Sequence, residues 1–411
     1  MKLVQINPVL RRSTSTGRIM EEIGDLMMGY GWECYAAYSK GRDGLMPTRM
    51  IPLPVGNILS TALHGLNTRL FDRHGLASYI STVSFVKALK KIKPDIVHIH
   101  NIHGYFLNYN ALFDFLSKSG VKVIWTVHDC WLYTGHCYYY SAVGCDKWKT
   151  GCGHCPQKLS FPKSMVCDRS ARNFIDKKKA FTSMPRENMV IVPVSQWMRD
   201  EMRESFLCDY PFRVIHNGID TDVFSPRDCT DVIQKYNLSD ARTIILGLAS
   251  IWLKEKGIDD FIEMSRMLRD GERIVLVGID EHTRKSLPRN IVAIRRTDNV
   301  GELAALYSAA TAFVNPTWQD NYPTVNLEAQ ACGTPVVTYR TGGSPESLTE
   351  KTGKVVRQGD VAGLLEAVRE FASLPPESLA GACREHAVSD FRKQDRYSEY
   401  LELYHELLGC V

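Results

Sequence analysis

Two doubly wound parallel sheets, joined in one α/β chain, are the fold this sequence predicts. Short apolar strands alternate with helices in both halves, the pattern of parallel sheets. A length of 411 residues leaves room for two or three separate cores. With 44% apolar and 23% charged residues, the composition is that of an ordinary soluble globular protein.

In the first half, Leu3–Ile6 reads as a strand, followed by the polar loop Arg11-Arg-Ser-Thr-Ser-Thr-Gly17. Ile19, Ile23, Leu26 and Met27 recur at helical spacing, so a helix is expected from about Arg18 to Tyr30. Gly31 stops it, and Trp32–Tyr38 is the second strand. Residues 51–78 mix Pro, Gly and His without a clear period and carry no assignment. Tyr79–Lys91 is expected to be helical, residues 94–100 a buried strand, and Tyr105–Ser117 another helix. Val121–Val127 forms the next strand and runs into His128-Asp129. A basic helix near Asp168–Phe181 precedes the strand Met189–Val194, after which Ser195 suits a helix N-cap. Phe212–Ile215 closes this half.

The second half repeats the rhythm. Strands are expected at Thr243–Leu248, Ile274–Val277, Ile291–Ile294, Ala312–Val314, Pro335–Thr338 and Lys354–Val356. Helices are expected to start near Gly257, Val300, Pro323, Ser344 and Asp360. A final helix from about Asp390 to Leu408 would pack back onto the first half.

Chemistry concentrates between Asn315 and Ser344, read as strand, loop, short helix, strand and Gly-Gly turn. Pro323 suits the first helical position, where its missing N–H costs nothing. The N–H groups of residues 323–326 would then suit a diphosphate, which prefers a helix N-terminus. Asp320 in the loop and Glu328 in the helix would accept hydroxyls near that positive end. Ligands of open α/β sheets bind at such strand ends. The ligand implied is a diphosphate joined to hydroxyl-rich groups, a nucleotide-sugar.

This stretch resembles the signature of the family 4 retaining glycosyltransferases: an acid, seven residues, Glu, then Ala-x-Ala-x-Gly-x-Pro-Val-Val and a Gly-Gly turn. Asp320, Glu328-Ala329, Ala331, Gly333, Pro335-Val336-Val337 and Gly342-Gly343 carry it here, with Asp where the family usually has Glu. Further matches are Thr126, His128 and Asp129 at a strand end, and Asn217-Gly218 with Asp220, Phe224 and Pro226 at the domain junction. Lys256-Gly257 matches the family's diphosphate loop. Ile251 or Trp252 stands where that loop carries Arg, so one phosphate clamp is missing or is supplied by Lys254.

The resemblance implies the GT-B architecture, two Rossmann-like domains facing a cleft. Their expected bounds are residues 1–220 on the acceptor side and 221–388 on the donor side, with 389–411 as the returning helix. It implies transfer of a hexose-type sugar from a UDP- or GDP-sugar, with retention, to a hydroxyl of a growing, lipid-linked cell-surface polysaccharide. No catalytic metal is implied. Lys256 would neutralise the leaving diphosphate, Asp320 would orient the sugar, and His128 would bind it. Glu328 would take the ribose hydroxyls. Lys254, Asn321, Tyr322, Pro323, Thr324, Val325, Thr16 and Gly17 would complete the donor site. A nucleotide-sugar epimerase or phosphorylase would use the same pocket, and a zinc-stabilised binding protein without activity is the non-enzyme alternative.

Residues 130–167 form a Cys-rich insertion outside the core family pattern, and it resembles a loop of exopolysaccharide-type members. Cys137, Cys145, Cys152 and Cys155 are spaced C-x7-C-x6-C-x2-C. In a cytosolic protein this reads as a structural zinc site. A redox pair at Cys152 and Cys155, free thiols, or an iron–sulfur cluster on the same ligands are the other readings.

The net charge of +4 is too small to argue for nucleic acid. No run approaches the ~20 apolar residues of a membrane span. The N-terminus reads as a strand rather than a signal peptide, so a cytoplasmic location is expected. Basic clusters at Lys87, Lys90, Lys91 and Lys93, and at Lys177-Lys178-Lys179, would allow peripheral contact with anionic lipid on the inner face of the membrane.

Overall fold

The computed structural model describes residues 1–44 and 46–409. These divide into two compact units, Met1–His216 with Tyr397–Val411, and Asn217–Arg396. The first holds β1 (Lys2–Ile6), β2 (Glu33–Ser39), β3 (Ile51–Val55), β4 (Ile96–Ile99), β5 (Lys122–Val127) and β6 (Met189–Pro193). The second holds β7 (Thr243–Leu248), β8 (Glu272–Val277), β9 (Ile291–Ile294), β10 (Ala312–Asn315), β11 (Val336–Tyr339) and β12 (Gly353–Val356). Sheet orders are β3-β2-β1-β4-β5-β6 and β12-β11-β10-β7-β8-β9. All pairs are parallel.

Both orders are the doubly wound Rossmann order, and each reverses once. The reversals fall between β1 and β4 and between β7 and β10, where ligands of such sheets collect. In the second sheet Phe313 stands opposite both Leu246 and Val336, which places it at the sheet's centre.

Several elements differ from expectation. Residues 51–71, left unassigned, form β3 and a helix over Ile58–Phe71, and further helices cover Glu281–Ser286 and Pro376–Asp390. The helix expected from Tyr105 begins at Tyr109. Tyr105 takes φ 68°, and Asn108 caps the helix by accepting from the Ala111 N–H. Phe212–Ile215 makes one bridge, between Ile191 and Phe212, rather than a strand. Its partner β6 ends in Pro193, which has no N–H with which to extend a ladder. Ser344 opens a single 3-10 turn rather than a longer helix.

The basic cluster at 177–179 is also corrected. Lys178 and Lys179 are exposed, but Lys177 is buried. Its ammonium donates to the Trp131 and Thr134 carbonyls at 2.6 and 2.9 Å and sits 3.5 Å from the centre of the Trp131 ring. Burial pushes its pKa down to about 7. Lys177 therefore belongs to the interior, not to a lipid-facing surface.

The final helix, Lys393–Leu408, completes the first unit's core. Tyr397, Tyr400 and Tyr404 are buried among Met20, Ile23, Trp32 and Ile124. Their hydroxyls find polar partners there, since a buried phenol without one loses a hydrogen bond. The Tyr404 hydroxyl meets His98 Nδ1 at 2.7 Å, and the Tyr400 hydroxyl meets Thr126 Oγ1 at 2.9 Å. Tyr404→Ala is expected to lower unfolding free energy by about 3–5 kcal/mol, as large aromatic truncations do. Denaturant titration checks this, and a loss within experimental error would mean the helix does not complete the core.

Candidate active site

The reversal between β7 and β10 gathers the residues expected to hold a donor diphosphate. The loop after β7 turns through Gly257 at φ 77°, and a Cβ there would stand 2.3 Å from the Pro316 carbonyl oxygen. Only glycine allows both that backbone and that approach. The Glu255 carbonyl accepts from the Thr317 hydroxyl at 3.2 Å and the Trp318 N–H at 2.9 Å, pinning the loop after β10 against the loop after β7. Lys256 Nζ and Asp320 Oδ2 therefore meet at 2.7 Å. Both side chains remain partly exposed.

Buried polar groups fix this loop from behind. Asp260 accepts from the Trp318 indole N–H at 2.9 Å and the Tyr339 hydroxyl at 2.6 Å. Asp320 also accepts from the Asn321 N–H through Oδ1 at 2.9 Å, and the Tyr322 carbonyl accepts from the Asn217 amide at 3.2 Å. The following helix spans Thr324–Ala331, so Pro323 is its N-cap rather than its first residue. No side chain caps that end, where Thr324 and Val325 form the first turn. Glu328 is buried and accepts from the Tyr307 hydroxyl at 3.3 Å. Asn326 carries the helix's other anchor, accepting from Asn315 and donating to Ser344 and Ser347.

Lys254 does not join this group. Its exposed ammonium lies 3.7 Å from Asp259, across the start of the next helix. Trp252 is buried with its indole N–H on the Val277 carbonyl, while Ile251 is exposed. Neither replaces an arginine fork.

In the first unit Thr16 and Gly17 lie in the first turn of the helix Ser15–Gly29, not in the preceding loop. The Thr16 hydroxyl accepts from the Asn7 amide at 3.2 Å. A Cβ on Gly17 would stand 2.5 Å from the Arg11 carbonyl oxygen, so loop packing already explains that glycine.

His128, half-buried just past β5, joins a chain of polar groups. The Gln5 amide N–H donates to the Met20 carbonyl, which turns Gln5 Oε1 toward His100 Nε2 at 2.9 Å. His100 must then donate from Nε2 and accept at Nδ1, and His128 Nε2 lies 3.2 Å from that acceptor. The neutral His128 ring thus carries its proton on Nε2 and its acceptor at Nδ1. Burial pushes its pKa down to about 4, against the opposing pull of Asp129. Asp129 pairs with His103 at 2.8 Å and caps the Trp131 N–H. Burial alone would raise the Asp129 carboxyl, but the charge and hydrogen bond of His103 outweigh it and hold the group below its ordinary value. No local motif marks Gln5 for this role, because it depends on β1 lying beside β4.

Cys137, Cys145, Cys152 and Cys155 line one small cavity together with Trp148 and Pro156. Cys152 Sγ accepts from the Gly135 N–H at 3.1 Å. Among the described residues, no three His, Cys, Asp or Glu side chains are gathered closely enough to hold a metal ion. The donor set itself, four thiols around one cavity, suits a soft metal.

Residues 51–157 match the family described as Glycosyltransferase Family 4, a span that includes His128 and all four of these cysteines. Residues 242–373, with Lys256, Asp320 and Glu328, match Glycosyl transferases group 1. The chain is a glycosyltransferase of the family 4 type. WcaC of Escherichia coli (strain K12), named as a glycosyl transferase of colanic acid biosynthesis, is 25% identical over 327 residues, covering 76% of this chain and 77% of that protein. The N-acetyl-alpha-D-glucosaminyl L-malate synthase of Bacillus anthracis is 25% identical over 234 residues, or 53% of this chain and 60% of the synthase. Among solved structures, sucrose-phosphate synthase from Thermosynechococcus elongatus superposes with TM-score 0.73 at 17% identity over 100% of both chains. Anabaena HepE in complex with UDP-glucose gives 0.68 at 13% identity over 99% of this chain and 100% of HepE. These likenesses identify the fold of this glycosyltransferase as GT-B, built from two Rossmann-like domains.

Three imidazoles of the first unit predict a pH dependence. Burial pushes His64 and His98 down to about 3 and His128 to about 4. An unfolded histidine titrates near ~6.5, so between these values the unfolded chain binds more protons. Their neutral burial is compatible with full stability above about pH 6.5, and stability is lost as pH falls toward the folded values. The urea midpoint is expected to drop between about pH 7.5 and about pH 5.5, before most carboxylates titrate. An unchanged midpoint would show that these rings are not held neutral.

Proposed function

We propose that this glycosyltransferase moves a hexose-type sugar from a UDP- or GDP-sugar, with retention, to a hydroxyl of a growing, lipid-linked cell-surface polysaccharide. The observation that carries the donor reading is the 2.7 Å pair of Lys256 and Asp320 at the β7–β10 reversal, beside the start of the Thr324–Ala331 helix. Lys256 would turn from Asp320 toward the diphosphate and neutralise charge as the sugar leaves. Asp320 would then be released to a sugar hydroxyl. The first-turn N–H groups of Thr324 and Val325 would add donors to the phosphate oxygens. Glu328 would accept the ribose hydroxyls, and the Nδ1 acceptor of His128 suits a sugar hydroxyl. The kinship with a relative named for colanic acid biosynthesis supports a polysaccharide acceptor. UDP-glucose in a structure of the same fold supports a nucleotide-sugar donor.

Calorimetry and thermal shift against UDP, GDP and their sugar conjugates test this reading. One nucleotide should stabilise the protein selectively, and one sugar should deepen the effect. Lys256→Ala is expected to lower kcat by about 10²–10³-fold, the scale for losing one preorganised charge-stabilising group. Glu328→Ala should weaken nucleotide binding more than it lowers the melting temperature. Silence toward every nucleotide by folded protein, or near-normal turnover by Lys256→Ala, would remove the proposal.

We also propose a structural zinc on Cys137, Cys145, Cys152 and Cys155. The buried Lys177 ammonium supports it, because thiolates at Cys152 and Cys137 would add negative charge beside a cation that burial disfavours. Elemental analysis should find about one zinc per chain, and chelation should lower the melting temperature. Folded, zinc-free protein with four reactive thiols would end this proposal.

A further inference from the structure

The helix Ile58–Phe71 is built inside out. Its buried residues are His64 and Thr68, both polar. His64 Nε2 accepts from the Gly75 N–H at 3.0 Å, its Nδ1 meets the Ser78 hydroxyl at 2.7 Å, and Thr68 donates to the His64 carbonyl. Leu59, Ala62, Leu63, Leu66 and Leu70 recur at i, i+3, i+4, i+7 and i+11, a stripe on the opposite side. Leu59, Leu63 and Leu66 each keep more than half their surface exposed. A surface helix normally turns such a stripe to the core; this one turns it outward.

A second segment extends the patch. The Met165 and Cys167 N–H groups donate to the Arg69 and Leu70 carbonyls at 2.7 and 3.1 Å, fastening the loop 159–167 to the end of the helix. That loop exposes Leu159, Phe161, Met165 and Val166. Two adjoining segments with this much exposed apolar surface mark an interaction site rather than ordinary scatter.

Charge selects the partner. Residues 51–71 and 157–166 contain Arg69, Lys158 and Lys163 and no Asp or Glu. A two-fold contact between copies would set like charges against each other across the patch. An anionic lipid surface would instead attract them while the leucines enter the acyl boundary, the arrangement of interfacial helices. No helix among the described residues is long and apolar enough to cross a membrane, so the contact would be peripheral.

We propose that the outward face of the helix Ile58–Phe71 and the loop 159–166 seat this enzyme on an anionic bilayer. The contact deepens the reading of a lipid-linked acceptor, and it would hold the first unit at the surface where such acceptors lie. Its evidence is independent of the donor chemistry.

The test is co-sedimentation of the full chain with vesicles of phosphatidylcholine alone or mixed with phosphatidylglycerol. Binding is expected to the mixed vesicles, to weaken with added salt, and to fall on the order of tenfold or more in the Leu63→Ser/Leu66→Ser double variant. Phe161→Ser/Met165→Ser, on the other segment, should fall likewise, and Arg69→Glu/Lys163→Glu should lose the preference for anionic lipid. Nucleotide binding should survive in all three, which separates loss of this surface from failure of the donor reading. Equal sedimentation of the variants would overturn the proposal, as would absence of wild-type binding. A concentration-dependent dimer that Leu63→Ser/Leu66→Ser abolishes would assign the patch to self-association instead.

Discussion

The pairing of β7 with β10 sets side by side two loops that come from distant parts of the chain. Much of the second unit's chemistry depends on that adjacency. It brings the Glu255 carbonyl within reach of Thr317 and Trp318, presses Gly257 against Pro316, and lets one ammonium meet one carboxylate. The buried Asp260 then holds the loop through Trp318, so the exposed pair stands on a rigid support. With the loop backbone held in this way, ligand binding would have to rearrange little beyond the two side chains themselves.

The two units share a strand order and use it with different chemistry. In the second, the strand ends carry charges that remain partly exposed. In the first, they carry imidazoles buried in neutral form and aligned by Gln5, Thr126 and the tyrosines of the final helix. Burial disfavours the charged form of each ring, so these groups act as fixed hydrogen-bonding dipoles. The same topology thus supplies a partly exposed ion pair in one unit and a preset tautomer in the other.

Much of this was readable from the chain. The alternation of short apolar strands with helices foretold both sheets, and the motif from Asp320 to Gly343 placed a carboxylate beside a helix start. Local patterns could not supply contacts set by strand order: Gln5 with His100, Asp260 with Trp318, Tyr307 with Glu328. Lys177 misled because a lysine inside a basic run normally lies in water, and here Trp131 and two carbonyls surround it. Residues 58–71 escaped assignment for a related reason. Their His and Gly obscure a leucine stripe, and that stripe faces away from the core that usually gives such a pattern its meaning. The outward stripe became visible only once the polar inward side had partners.

The return of the last helix to the first unit has a bearing on how the protein is made. Tyr397, Tyr400 and Tyr404 belong to the core formed by residues from the chain's first strands and helices, yet they are synthesised after all of the second unit. Domains usually fold in the order they leave the ribosome. Here the earlier unit must wait, with His98 and Thr126 lacking their phenolic partners and apolar surface uncovered, while the later one is free to close first. The first unit's core therefore reaches completion only when the last stretch of the chain has been made.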